Sequence, residues 1–252
     1  MRKFLHNDKK DIDSAIINTA RRKNLPPALV EKDFYSEKLI PIVKRDLASE
    51  VEIEFDITLN EEELAIYIKY PSSFHNGYVK DSVKLEIGPL AAWTPWETKE
   101  ISSFITQEYQ QLFENKAFPV LITKPVRTFW EKAVILHQEA HREDGEVPLR
   151  YFRHYYDLYK MYSTFVKTEA FANLDLLNEV RTFTMTFYYR SWAKFEEALP
   201  GSFMLYPNKN SLIKLKHDYE EMKEMIFGDT PSFEEVLSTI KKLENEINGL
   251  KK

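Results

Sequence analysis

From Pro125 almost to the C-terminus, the apolar residues recur at helical spacing. Candidate helices over 125–141, 148–164, 173–198, 209–227 and 232–250 are separated by Gly145, Gly201 and Gly228, residues that stop helices because they adopt backbone angles others avoid. Pro231 followed by Ser232-x-x-Glu235 is a capping-box start for the last helix. Along that helix Phe233, Val236, Ile240, Leu243, Ile247 and Leu250 alternate in steps of three and four, a heptad seam. Such a seam is expected to dock onto its own bundle, with self-association through this C-terminal helix, or docking of a cognate partner, as the sharper alternative. A second half built this way can only be a set of helices burying their apolar faces on one another.

The first half reads differently. Residues 8–24 form an amphipathic helix with Ile12, Ala15, Ile16 and Ala20 on one face. Pro26-Pro27 opens a second helix over 28–47, with Pro41 kinking it. Val51, Ile53, Phe55 and Ile57 then alternate with Glu52, Glu54 and Asp56, the period-two pattern of a half-buried strand. A turn at Asn60–Glu63 leads into further strands at 64–70, 79–87 and 118–122. The expected class is α+β: a mixed sheet with flanking helices over 1–165, then a helical bundle over 166–252.

Composition narrows the function. With no cysteine, disulfides and thiolate metal sites are impossible. A net charge of −5 argues against a surface coated in base for nucleic acid and leaves a local basic groove open. No run approaches the roughly 18 apolar residues that cross a bilayer, and Met1–Lys10 lacks the apolar run of a signal peptide. The expectation is a cytoplasmic protein with no membrane partner.

Polar groups fall on two aromatic-rich helices where packing would not need them. Lys132 lies in Arg127-Thr-Phe-Trp-Glu-Lys-Ala-Val-Ile-Leu-His137, at the flank of an apolar face made by Phe129, Ala133, Leu136 and Ala140. Asp157 lies in Arg153-His-Tyr-Tyr-Asp-Leu158. By themselves, Lys132 reads as a surface cation paired with Glu131 or a neighbouring carboxylate, and Asp157 as a partner of Arg153 or Lys160. Arg153 and His154 suit phosphate oxygens, or cover aromatic packing with their stems. Lys84 and Glu86 share one strand face. Glu52, Glu54 and Asp56 read as a solvated strand face, with a metal site as the alternative. His137 and His141 stand at metal-ligand spacing, but Gln138 replaces the glutamate of a metalloprotease helix, so a polar helix face is the better reading. Trp93-Thr-Pro-Trp96 closes a core edge or stacks a base.

These two stretches, with Leu25-Pro-Pro-Ala-Leu-Val-Glu-Lys-Asp33, Val83-Lys-Leu-Glu-Ile-Gly88 and Phe227-Gly-Asp-Thr-Pro-Ser-Phe-Glu234, resemble the AbiEii-type nucleotidyltransferase toxins of bacterial toxin–antitoxin and phage-defence systems. The motifs run in the family's order over nearly the whole chain. The resemblance implies a nucleotidyltransferase fold that uses Mg²⁺ and moves a nucleotide from an NTP onto an RNA, in some members tRNA, or onto a protein, with an antitoxin as partner. It places Lys132 on the triphosphate and Asp157 beside it as the catalytic pair, with Lys84, Arg153 and His154 as further nucleotide- or phosphate-binding groups. The family's glycine turn and Asp-x-Asp metal pair would fall between Asp33 and the first strand. No glycine precedes Gly77 here, which leaves Glu54 and Asp56 as the metal candidates. The alternative function is a catalytically inactive member that serves as a binding or regulatory protein, or takes the missing hairpin from a second chain.

Overall fold

A computed structural model describes residues 9–35, 56–60, 65–70, 72–75, 79–86, 94–113 and 116–250. The fold is α+β, and its secondary structure is mostly helical with small antiparallel sheets. The chain divides into two compact units. The first takes in residues 1–91, 98–122 and 224–229, and the second residues 92–97, 123–223 and 230–252. The main changeover is between Ile122 and Thr123, and residue 165 lies inside the second unit.

In the first unit, α1 (Lys9–Lys23) and α2 (27–35 among the described residues) follow the expected helices. The expected kink at Pro41 lies outside the described residues. Three strands, β1 (Asp56–Asn60), β2 (Ala65–Lys69) and β3 (Ser82–Glu86), make an antiparallel sheet in that order. Its register sets Asp56 opposite Lys69 and Tyr67 opposite Lys84. β4 (Trp96–Ile101) pairs with β5 (Phe118–Thr123), and α3 (Phe104–Glu108) comes between them. Strand β4 was not expected, because Trp96, Lys99, Glu100 and Ile101 are all exposed and leave no alternation to read.

Ile16, Leu25, Val30, Phe34, Tyr70 and Ile105 anchor the core of this unit, and Tyr35 stacks on Tyr70 with ring centres 4.6 Å apart. A buried carboxylate ties its loop. Glu31 accepts hydrogen bonds from Ser72 Oγ (2.7 Å), Ser73 N (2.8 Å) and Phe74 N (3.3 Å). Three donors offset the cost of burying that charge.

The second unit is built around α4 (Pro125–Ala140), which packs against α5 (Phe152–Tyr162), α6 (Phe165–Ala172) and α7 (Leu174–Phe187). Helix α5 in turn packs on α8 (Leu212–Met222) and α9 (Phe233–Asn248). Pro125 opens α4 at its first turn, where a missing N–H costs nothing. The helix expected over 173–198 is shorter. It ends at Phe187, and two 3-10 turns follow around Lys194, whose φ of 48° is left-handed. Phe233, Val236, Ile240, Leu243 and Ile247 are buried within this unit. The heptad seam is therefore spent on the chain's own bundle. Ser232 Oγ accepts from Glu235 N at 3.1 Å as the capping box requires, but the Glu235 carboxylate takes Tyr159 OH at 2.5 Å instead of closing the box.

Candidate functional site

Helix α4 presents Lys132 to α5, where His154 and Asp157 sit three residues apart and so share a face. Lys132 Nζ lies 2.9 Å from His154 Nδ1 and 3.2 Å from Asp157 Oδ2. An ammonium can only donate, so Nδ1 is the acceptor and the ring proton sits on Nε2. His154 is 5% exposed. Burial, then the charges of Lys132 and Arg153, hold its pKa down to about 3, and the ring is neutral. Asp157 is partly exposed, its side chain at 41% and that of Lys132 at 19%. The ammonium has three donors. Two are engaged and no further partner stands among the described residues, so one is left for an anion.

The supports of this cluster come from distant parts of the sequence. Helix α5 has no side-chain cap of its own at Tyr151. Asp218 of α8 supplies one, its two oxygens accepting from Arg150 N and Phe152 N, each at 2.7 Å. A carboxylate at a helix N-terminus satisfies free N–H groups and meets the positive end of the helix dipole. On α4, Arg127 is a tie: its guanidinium donates to Glu131 Oε1 (2.8 Å) and Thr94 O (2.5 Å), 6.0 Å from the Phe183 ring centre. Burial raises the pKa of Glu131, against the pull of Arg127.

Other expected residues fall elsewhere. Lys84 is on β3 of the first unit, 2.7 Å from Glu86 and 5.6 Å from the centre of the Tyr67 ring. Arg153 is exposed on α5. Glu54 lies outside the described residues, and Asp56 is placed only as backbone at the start of β1. Among the described residues no group of three or more His, Asp or Glu side chains is gathered as a metal site. Of the two carboxylates expected to hold Mg²⁺, neither side chain is among those described.

The reading of His137 and His141 as a polar helix face is corrected for His137, while His141 is half-buried at the end of α4. His137 is fully buried, its Nε2 on Lys194 O at 2.9 Å and its Nδ1 accepting from Met204 N at 3.1 Å. Burial lowers its pKa to about 4. It is a hydrogen-bonded core histidine with both nitrogens engaged.

The profile of the nucleotidyl transferase AbiEii toxin of type IV toxin–antitoxin systems matches residues 10–239. The chain belongs to the AbiEii family. Family membership makes it a toxin of a type IV system and implies an antitoxin partner. No curated protein and no solved structure matches it. Among the described residues of this AbiEii chain, no helix is long and apolar enough to cross a membrane.

Proposed function

We propose that this AbiEii-family chain is a nucleotidyltransferase in which Lys132 holds the triphosphate of an NTP while the nucleotide passes to an RNA acceptor. The observation that carries the reading is the Lys132 ammonium held between neutral His154 and Asp157. A compact cation suits phosphate oxygens. His154 and Asp157 position it, and a histidine that stays neutral does not repel it. Arg153 is proposed as a further phosphate contact of this cluster, and Lys84 as a phosphate contact of the first unit. Glu54 and Asp56, in the first unit, are proposed as the carboxylates that would hold Mg²⁺, whose charge would offset that of a phosphate.

A second reading is favoured by the absence of any glycine before Gly77. Glycine turns hold triphosphates through backbone N–H groups, and a chain without one fits a binding or regulatory protein, or one that receives the hairpin from a second chain.

Transfer of label from each α-labelled NTP to total tRNA, with Mg²⁺ or Mn²⁺, separates the two. Labelled RNA that disappears in both Lys132→Ala and Asp157→Ala supports transfer. No label, together with no NTP binding by calorimetry, supports the second reading.

A further inference from the structure

The end of α7 and the loop after it leave an unusual surface for an acidic protein. Phe187, Tyr188 and Tyr189 are 49%, 47% and 60% exposed, and exposed Arg190 follows them. Two residues on, Trp192 meets the Arg142 guanidinium 4.4 Å from its ring centre. Trp192 and Arg142 line a cavity of about 510 Å³, with His141, Glu143, Asp144 and Lys194 also on its walls. Arg142 is fixed there by Glu139, at 2.6 and 3.1 Å. Arg153 and Arg190 have no ion-pair partner among the described residues, so their charge is uncompensated. The surface reaches the candidate site through one residue. The Tyr151 ring lies 4.8 Å from His154, edge to face, and its hydroxyl feels the charges of Arg142, Arg153 and Arg190.

Stacking rings beside uncompensated arginines match the two parts of a single strand, unpaired bases and phosphates. A duplex hides its bases and offers such rings nothing. A peptide partner would use the aromatic residues but leave Arg153 and Arg190 without phosphates. The carboxylates of Glu143 and Asp144 suit the exocyclic amino group of a base, a donor, and disfavour a bare phosphate in the cavity.

We infer that the cavity walled by Trp192 and Arg142, with Tyr151, Arg153, Tyr189 and Arg190 beside it, seats a single-stranded RNA segment carrying at least one unpaired base. This deepens the proposed function by placing the acceptor on the surface that meets the candidate site at Tyr151 and His154, and it rests on that reading for the choice of RNA.

Fluorescence anisotropy on the full chain tests it, with a short labelled single-stranded RNA of mixed sequence, its duplex, and inorganic polyphosphate as competitor. Trp192→Ala is expected to weaken single-strand binding about tenfold, the loss of one base–aromatic stack, and Trp192→Phe to restore most of it. Arg190→Ala, an exposed change that leaves the core alone, is expected to lower the salt slope by about 0.7, one phosphate contact on a single strand. Variants that bind as tightly as the parent with the same slope overturn the inference. So does duplex binding as strong as single-strand binding, or polyphosphate that competes as well as unlabelled RNA. Calorimetry with an NTP, on the parent and Lys132→Ala, reads the other proposal separately. NTP binding that needs Lys132, with no effect of the Trp192 and Arg190 changes on RNA, sinks the seat and keeps the nucleotidyltransferase reading. RNA binding that responds as expected, with no NTP binding, does the reverse.

Discussion

Nζ of Lys132 stands 2.9 Å from Nδ1 of His154, so an ammonium on α4 occupies the one ring nitrogen that could take up a proton on α5. Burial and the charges of Lys132 and Arg153 hold His154 at a pKa of about 3. Lys132→Met removes the second of these causes and leaves the first. The His154 pKa is then expected to rise while staying below the ordinary histidine value, as read by NMR titration of the imidazole carbons. A titration that does not move would mean that Lys132 and His154 are not in contact in solution.

Stability is expected to fall in mild acid. His137 at about 4 and His154 at about 3 both lie below the ordinary histidine value of 6.5, so the unfolded chain binds more protons than the folded one. Stability is then fully present above the unfolded value and is lost as pH drops from there toward the folded values. Each histidine contributes a slope of roughly 1.4 kcal/mol per pH unit in that window. Urea midpoints between about pH 7 and pH 5 measure it, and His154→Gln is expected to remove roughly half. Midpoints that stay flat across the window count against neutral buried histidines.

Asp218 holds the start of α5 from α8. Asp218→Ala leaves Arg150 N and Phe152 N without their acceptor, and two hydrogen bonds to a charged group are expected to cost about 3 kcal/mol or more. Urea unfolding reads the loss. Because α5 carries both His154 and Asp157, NTP affinity is expected to drop in the same variant, while Asp218→Asn keeps one acceptor and most of the affinity.

Gly145 sits at φ +69°, and a Cβ there would lie 2.8 Å from Asn210 O. Gly145→Ala therefore meets backbone strain and a clash with a backbone carbonyl at once. A loss of about 1–3 kcal/mol is expected, seen as a lower thermal midpoint. Gly201, at φ +98° with open space around it, is expected to show the strain without the clash, and the smaller drop.

Much of the helical half was legible in advance because its signals are local. Pro125 at a first turn, Ser232 capping Glu235 N, and stops at Gly145 and Gly228 need only neighbouring residues. Helix α6 escaped notice, its eight residues carrying only Val166 and Ala170 to the interior, too few for a period. Lys132 and Asp157 were found as candidates through family resemblance, since each alone has the look of a surface charge on a helix.

Spacing along the chain was sufficient for the α+β class and for the course of most helices, because hydrogen bonds within a helix join residues four apart. It was silent on what the polar side chains do. Whether His137 is surface or core depends on Lys194 and Met204. Whether α5 is capped depends on Asp218, 66 residues beyond Phe152. Whether Lys132 is a loose surface cation or a held one depends on His154, 22 residues away on another helix. Burial and the partners that come with it exist only once separate helices have packed, and they set the charge states on which the candidate site rests.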